Sequence, residues 1–327
     1  MTGGRLAGIG AITVTSVLWG TTGTAATFAP GAGPLAIGAA ALGIGGLLQA
    51  LVAVPALRSA WPALRAGRGL VLLGAAAVAV YPLAFYSSMH LAGVAVGSVV
   101  SLASAPLASG LLERIVERRP LSRWWMLAAT LGVIGSVLLC LPKLAGPAAG
   151  APTLAGMALG LVAGGTYATY SWVAHRLMGR GIGRAASMGS VFGAGGALLL
   201  PVLLATGGPL LASPAAFTVA AYMALVPMFL GYLLFGFGLA RVPASTATTV
   251  TLAEPAIAAV LAVLIVGERP SLLGWMGLGA IALVLAVLAI APTNGTAPMN
   301  GTAPMNGSAP PASLPMARAG TSLRAWQ

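Results

Sequence analysis

Long apolar runs, separated by short stretches that carry arginine, dominate this chain. A helix needs roughly 20 apolar residues to cross the hydrocarbon core of a bilayer. Ten segments meet that requirement, near residues 5–28, 32–55, 69–90, 93–113, 121–141, 153–177, 183–206, 214–240, 243–266 and 270–292. Continuous apolar runs of this length read as membrane helices. Composition agrees. Of the 327 residues 58% are hydrophobic and only 6% are charged, whereas a water-soluble globule covers itself with polar groups. The first segment follows Arg5 and could be mistaken for a secretory signal. It is too long for one and nine similar segments follow, so it is read as the first span.

The basic residues fix an orientation. Sixteen Lys and Arg face four acids, all glutamate, for a formal charge of +12. A charge of that sign could suggest nucleic acid, but the basic residues sit singly or in small groups between apolar runs, so no nucleic-acid partner is expected. With a cytoplasmic N-terminus, one side holds Arg5, Arg58, Arg65, Arg68, Arg114, Arg118, Arg119, Arg123, Arg176, Arg180, Arg184, Arg241, Arg318 and Arg324. The other holds only Lys143 and Arg269. This asymmetry places both termini in the cytoplasm. A bacterial inner membrane is the expected location.

An internal repeat is legible. Residues 85–106 (FYSSMHLAGVAVGSVVSLASAP) align with 234–255 (LFGFGLARVPASTATTVTLAEP), pairing Pro106 with Pro255. One residue of extra offset then aligns ERRPLSRWWM (117–126) with GERPSLLGWM (267–276), pairing Pro120, Trp125 and Met126 with Pro270, Trp275 and Met276. A unit of five helices forces the second copy to enter from the opposite side. Inverted repeats of this kind build a midplane site in secondary transporters. The expected units are residues 1–147, residues 148–292 and a disordered cytoplasmic tail at 293–327. The tail contains NGTAPM twice and is poor in bulky apolar residues. Its Asn294, Asn300 and Asn306 stand in N-x-S/T triplets, but on the cytoplasmic side these are not expected to be glycosylated.

Trp19-Gly20 in the first segment, and the run from AEP (253–255) to GERPS (267–271), resemble the EamA family of the drug/metabolite transporter superfamily. The resemblance covers roughly residues 8–292. In the first half the family's usual GE is replaced by Glu117-Arg118. The resemblance implies a bundle around a central cavity lined mainly by helices 1, 3, 4, 6, 8 and 9. It also implies export of small metabolites, amino acids among them.

Glu254 is the sharpest candidate for chemistry. A charged side chain at mid-membrane costs about 2.5–3.5 kcal/mol on insertion scales, so such an acid is a functional candidate by default. It is a candidate for coupling substrate movement to protons, against a structural hydrogen bond to a neighbouring helix. Pro106 and Pro255 hold equivalent mid-helix positions, where each is expected to kink or break its helix. Helix 9 carries Thr248 and Thr251 on the stripe of Glu254, and helix 4 carries Ser101 and Ser104 at matching spacing. These hydroxyls are candidate cavity-lining groups. So are Trp19 and Thr22 on helix 1, Tyr81 and Phe85 on helix 3, Tyr167 and Tyr170 on helix 6, and Tyr232 on helix 8, since rings can wall an amphipathic pocket or stack on a cation.

Other features read as structural. Cys140 is read as a small buried hydrophobe. Gly156, Gly160 and Gly164 form a row for close helix packing, within the fold or at a homodimer seam. Glu113 and Glu117 are spaced with Arg114 and Arg118 for ion pairing at the membrane edge, and His90 and His175 are expected at the surface. There is no phosphate-binding loop, zinc motif or nucleophile elbow, so neither an enzyme, a metal site nor a cofactor is expected. The expectation is an all-α integral membrane protein of ten transmembrane helices, two inverted five-helix repeats around a central cavity, acting as a secondary transporter of a small-molecule substrate. A membrane sensor or assembly subunit that carries nothing is the alternative.

Overall fold

Among the described residues the chain is helical and no strand is present. The computed structural model describes residues 2–290 apart from 27, 30, 93, 119, 145–150 and 262–270. The tail from 293, its Asn triplets and the GERP corner lie outside the described residues, as does the side chain of Cys140. The described residues belong to one compact unit, Met1–Thr296.

The helices are α1 (Gly3–Ala26), α2 (Pro34–Val52), α3 (Arg68–Ala92), α4 (Val94–Val116), α5 (Arg123–Leu144), α6 (Ala151–Gly179), α7 (Arg184–Thr206), α8 (Pro214–Leu239), α9 (Ala244–Val250, then Ala253–Leu261) and α10 (Leu272–Ile290). Among the described residues six are long and apolar enough to cross a membrane: α1, α2, α3, α4, α7 and α8. The apolar parts of α5 and α10 are shorter, Arg123–Leu138 and Leu272–Leu288. Helix α6 runs for 29 residues; Thr166, Tyr167, Thr169, Tyr170 and Ser171 dilute its apolar character.

Local chemistry sets the ends. Pro34 and Pro214 open α2 and α8, where a missing N–H is harmless. Ser213 caps α8 by accepting from the Ala216 amide at 3.1 Å. Between α6 and α7 the chain turns at Gly181, whose φ of 84° suits a residue without Cβ. The Ile182 amide then reaches back to the Leu177 carbonyl at 3.2 Å, closing a Schellman turn. Two short helices, Val54–Ser59 and Trp61–Ala66, carry Arg58 and Arg65 from α2 to α3.

Helix α3 packs on α6 and α7; α4 packs on α6 and α9; α1 packs on α8 and α9; α2 packs on α7 and α8; α5 packs on α10. Small residues make these approaches possible. The row Gly156, Gly160 and Gly164 is consumed inside the chain. A Cβ on Gly156 would lie 2.7 Å from the Ala92 amide of α3, and one on Gly164 2.6 Å from the Ser101 carbonyl of α4.

The outer surface is leucine-rich. Leu204, Leu272 and Leu154 are 85%, 78% and 69% exposed, while Tyr167, Tyr170, Phe192, Tyr232 and Phe235 are fully buried. Water would not tolerate that exterior over so large an area, but lipid chains do. Helical backbone, which bonds most of its own polar groups, suits a hydrocarbon surround.

Candidate functional site

The site is organised by the break in α9. Its first piece ends at Val250, and Thr251 and Leu252 form a turn before Ala253. Pro255 explains it. An unbroken helix would bond residue 255 to the carbonyl of Thr251, and proline has no N–H to give. The Glu254 amide takes that carbonyl instead at 2.9 Å, and the Leu252 amide bonds the Thr249 carbonyl at 3.2 Å. Pro255 thereby falls in the first turn of the second piece, and Glu254 beside it is aimed into the bundle. Pro106 behaves differently: α4 runs through it without interruption, so the break expected there is not seen.

Glu254 is only 8% exposed, and its Oε2 is buried without a hydrogen-bond partner. It lines a closed pocket of about 10 Å³ together with Trp19, Thr22, Ala41, Leu42, Tyr81, Pro82, Phe85, Tyr86, Met228 and Tyr232. That is room for about one water molecule. The walls come from α1, α2, α3, α8 and α9.

A ring network holds these walls. Trp19 lies 4.7 Å from Tyr232 between centroids, and Tyr81 lies 5.5 Å from Phe85 and 5.6 Å from Tyr167. Tyr170 and Tyr232 share a hydroxyl contact at 2.6 Å. Tyr167 meets the Thr251 hydroxyl at 2.8 Å, which ties α6 to the break in α9. Tyr167 and Tyr170 thus stand behind the pocket rather than on its wall.

Two wide turns of π-helix pack against each other near this network, Ala39–Ile44 in α2 and Ala224–Leu230 in α8. Such turns disturb the regular bonding and concentrate at functional sites. In α8 the effect is visible: the Trp19 indole N–H donates to the Pro227 carbonyl at 2.9 Å, and the Thr15 hydroxyl donates to the Gly231 carbonyl at 3.1 Å. Close approach of α1 to α9 depends on Gly20. A Cβ there would lie 3.0 Å from Ile257 Cγ2 and 3.2 Å from the Glu254 carbonyl.

Four expected cavity hydroxyls point elsewhere. Ser101 donates to the Gly97 carbonyl at 2.7 Å and Ser104 to the Ser101 carbonyl at 3.1 Å, both within α4. Thr248 bonds the Ala244 carbonyl at 3.0 Å and Ser109 of α4 at 3.1 Å. Thr251 donates to the Thr248 carbonyl at 2.9 Å. In an apolar surround a hydroxyl is satisfied most readily by the carbonyl one turn back. Thr22 also bonds backward, to the Trp19 carbonyl at 2.7 Å, yet still lines the pocket.

The arginine-rich end of the bundle holds a second polar cluster. Glu113 is buried, and its carboxylate accepts from the Ser245 amide at 2.8 Å and the Ser245 hydroxyl at 2.7 Å. A residue of α4 therefore caps the start of α9, where helix amides lack partners. Glu117 accepts from the Trp172 indole at 3.0 Å and lies 3.5 Å from Arg176. His175, expected at the surface, is part-buried with Nδ1 2.8 Å from the Leu239 carbonyl. His90 is exposed. At the other end an open apolar groove of about 650 Å³ runs between α1 and α8, bordered by Thr21, Phe28, Pro214 and Tyr222.

A crystal structure of another protein, 19% identical, superposes with a TM-score of 0.69 over 84% of this chain and 94% of its own, which shows a shared fold. The model of the EamA-like transporter family matches residues 154–290. A protein of Bacillus subtilis (strain 168) named uncharacterized transporter YwfM is 35% identical over 289 residues, covering 86% of this chain and 93% of its own. The chain belongs to the EamA-like transporter family. It is a multi-pass membrane protein. Family resemblance implied a cavity lined by helices 1, 3, 4, 6, 8 and 9. In this EamA protein the closed pocket draws instead on α2, through Ala41 and Leu42. Both are small or plain apolar residues that carry no signal in the sequence. Tyr86 and Met228 also line it; Tyr86, one residue beyond Phe85, could have been found from the aromatic spacing of α3.

Proposed function

We propose that this EamA protein is a secondary transporter that exports small metabolites such as amino acids across the bacterial inner membrane by alternating access, coupled to protons through Glu254. The unpartnered Glu254 oxygen in a closed pocket at the centre of the bundle carries the reading. A buried acid without a hydrogen-bond partner is costly as packing alone. Its place in the first turn after a helix break is the arrangement by which transporters bind and release ions.

In this reading ten spans form two inverted repeats, residues 1–147 and 148–292, with both termini cytoplasmic. The packing supports that division. Advancing each helix by five places turns the pairs α3–α6, α4–α6 and α3–α7 into α8–α1, α9–α1 and α8–α2, all of which occur. The pairs α2–α7, α4–α9 and α5–α10 map onto themselves. Such exchange is what a two-fold relation between repeats produces. The substrate cavity would open from the closed pocket and recruit the hydroxyls of Ser101, Ser104 and Thr248 as the helices rock apart.

The test is counterflow in proteoliposomes with pooled labelled amino acids and a broad metabolite panel, comparing wild type with Glu254→Gln, with and without a pH gradient. Flux driven by the gradient in wild type and insensitive to it in the variant is the expected outcome. Well-folded protein that moves no member of the panel would sink the transport reading; equal, pH-indifferent flux in both proteins would leave a facilitator.

A further inference from the structure

The chain has far more basic groups than acids to pair with them, and at one corner of the bundle the shortage is acute. Its four acids are Glu113, Glu117, Glu254 and Glu268. Glu113 is taken by Ser245, Glu117 meets Trp172 and Arg176, and Glu254 lines the central pocket. Glu268 lies outside the described residues. At the arginine-rich end, the Arg241 guanidinium sits 3.4 Å from the ring centroid of Phe237, and that of Arg184, the first residue of α7, sits 5.4 Å from the same ring. Both distances lie within cation–π range. Neither guanidinium pairs with a carboxylate among the described residues. Arg176 differs: it has both a ring, Trp172 at 5.2 Å, and a carboxylate, Glu117.

We propose that Arg184 and Arg241, gathered on the ring of Phe237, hold the phosphate of an anionic phospholipid whose acyl chains lie along Leu233 and Leu230 of α8. Two like charges drawn to one ring repel each other, and an anion between them replaces that repulsion with two attractions. Guanidinium forks match phosphate oxygens in geometry as well as charge. Donors are available for it. Arg241 spends one N–H on the Phe237 carbonyl at 2.7 Å, and the contact Arg184 makes among the described residues is with the ring. Both arginines are exposed and Phe237 is half-buried, so the ligand reaches them from outside the bundle. A zwitterionic lipid would bring an ammonium group beside two guanidiniums, a like-charge contact that an anionic headgroup avoids.

The apolar side of the site favours a lipid over a soluble phosphate. Leu233, Phe237 and Arg241 follow at four-residue spacing on one stripe of α8, and Leu230 extends it by a turn. Leu230 and Leu233 are 45% and 37% exposed, so an apolar track leads from the guanidinium toward the middle of the helix. A phosphate carrying acyl chains uses both the charge and the track; a soluble one uses the charge alone. Helix α1 backs the corner. A Cβ on Gly8 would lie 2.9 Å from Arg241 Cβ, so the stem of Arg241 stands between helices. Basic pockets between transmembrane helices are places where anionic headgroups bind. None of these residues lines the central pocket, and the inference does not depend on what the protein transports.

The test is native mass spectrometry of the purified full chain in detergent, titrated with phosphatidylglycerol or with phosphatidylcholine of identical acyl chains. Wild type is expected to bind the first phosphatidylglycerol about tenfold tighter than the first phosphatidylcholine. Arg184→Gln combined with Arg241→Gln, checked for folding by its melting temperature, should bring the two lipids within about twofold of each other. Arg58→Gln combined with Arg65→Gln removes the same charge from the link between α2 and α3 and should leave the preference in place. Phe237→Leu keeps both charges and should weaken phosphatidylglycerol about threefold, the loss of one exposed cation–π contact. Inorganic phosphate, compared with sodium chloride at matched ionic strength, should not displace the lipid. Equal binding of the two lipids by wild type, or a preference that survives in the folded Arg184 and Arg241 double substitution, would overturn the proposal. A preference lost equally on substituting Arg58 and Arg65, or untouched by Phe237→Leu, would reduce it to net charge and overturn the site. Displacement by inorganic phosphate would replace the lipid with a soluble phosphate compound as the occupant.

Discussion

At Gly20 a hydrogen atom is all that fits without adjustment. The Cβ of an alanine would press on Ile257 Cγ2 at 3.0 Å and on the Glu254 carbonyl at 3.2 Å, and a leucine would have to push α1 away from α9. Overpacking of this kind typically costs about 1–3 kcal/mol. Gly20→Leu should lower the melting temperature of the detergent-purified protein, measured by scanning fluorimetry, and Gly20→Ala should do so less. A leucine variant as stable as wild type would mean that α1 does not press on Glu254. The neighbouring Trp19 works in a different way, by directing its indole N–H at a carbonyl in the widened turn of α8.

Helix α9 is the element whose ends are held from outside itself. Its start is capped by Glu113 of α4, two oxygens on one serine. Its break is tied to α6 by Tyr167 and Thr251. Truncating Glu113 leaves a buried amide and a buried hydroxyl unsatisfied, a loss of about 1–3 kcal/mol. Glu113→Ala should therefore destabilise the protein by that order, whereas Glu113→Gln, which retains an acceptor oxygen, should lose less. Thermal melts of the two variants side by side check this; equal loss in both would point to charge rather than capping. The spacing of Glu113 with its own helix neighbours suggested surface ion pairing, because sequence displays only the partners on the same helix.

For the whole molecule, the distribution of arginine and leucine describes an object turned outward to lipid. The proposed orientation has a direct check. Ser59 lies exposed in the link from α2 to α3 and Leu211 lies exposed before α8. In a background with Cys140 replaced, a membrane-impermeant thiol reagent should label Ser59→Cys only from the cytoplasmic side and Leu211→Cys only from the outer side. Labelling of both from one side would reverse or break the proposed topology. The glycine row of α6 is used up against α3 and α4. A homodimer, if formed, would have to use another face.

Sequence by itself determined that this chain lives in a membrane, where its helices run, and that Glu254 stands apart. Those properties are local: hydropathy sums over a window, and one acid in an apolar run is conspicuous wherever the run goes. Tertiary structure decided what the acid faces. The choice of α2 as a pocket wall, the reach of Thr248 to Ser109 of α4, and the tie of the α9 break to Tyr167 of α6 all depend on neighbours far away in the chain. Glu113 and Ser245, 132 residues apart, show why. In hydrocarbon every polar group must find a partner inside the protein, and only the packed helices say which partners are within reach.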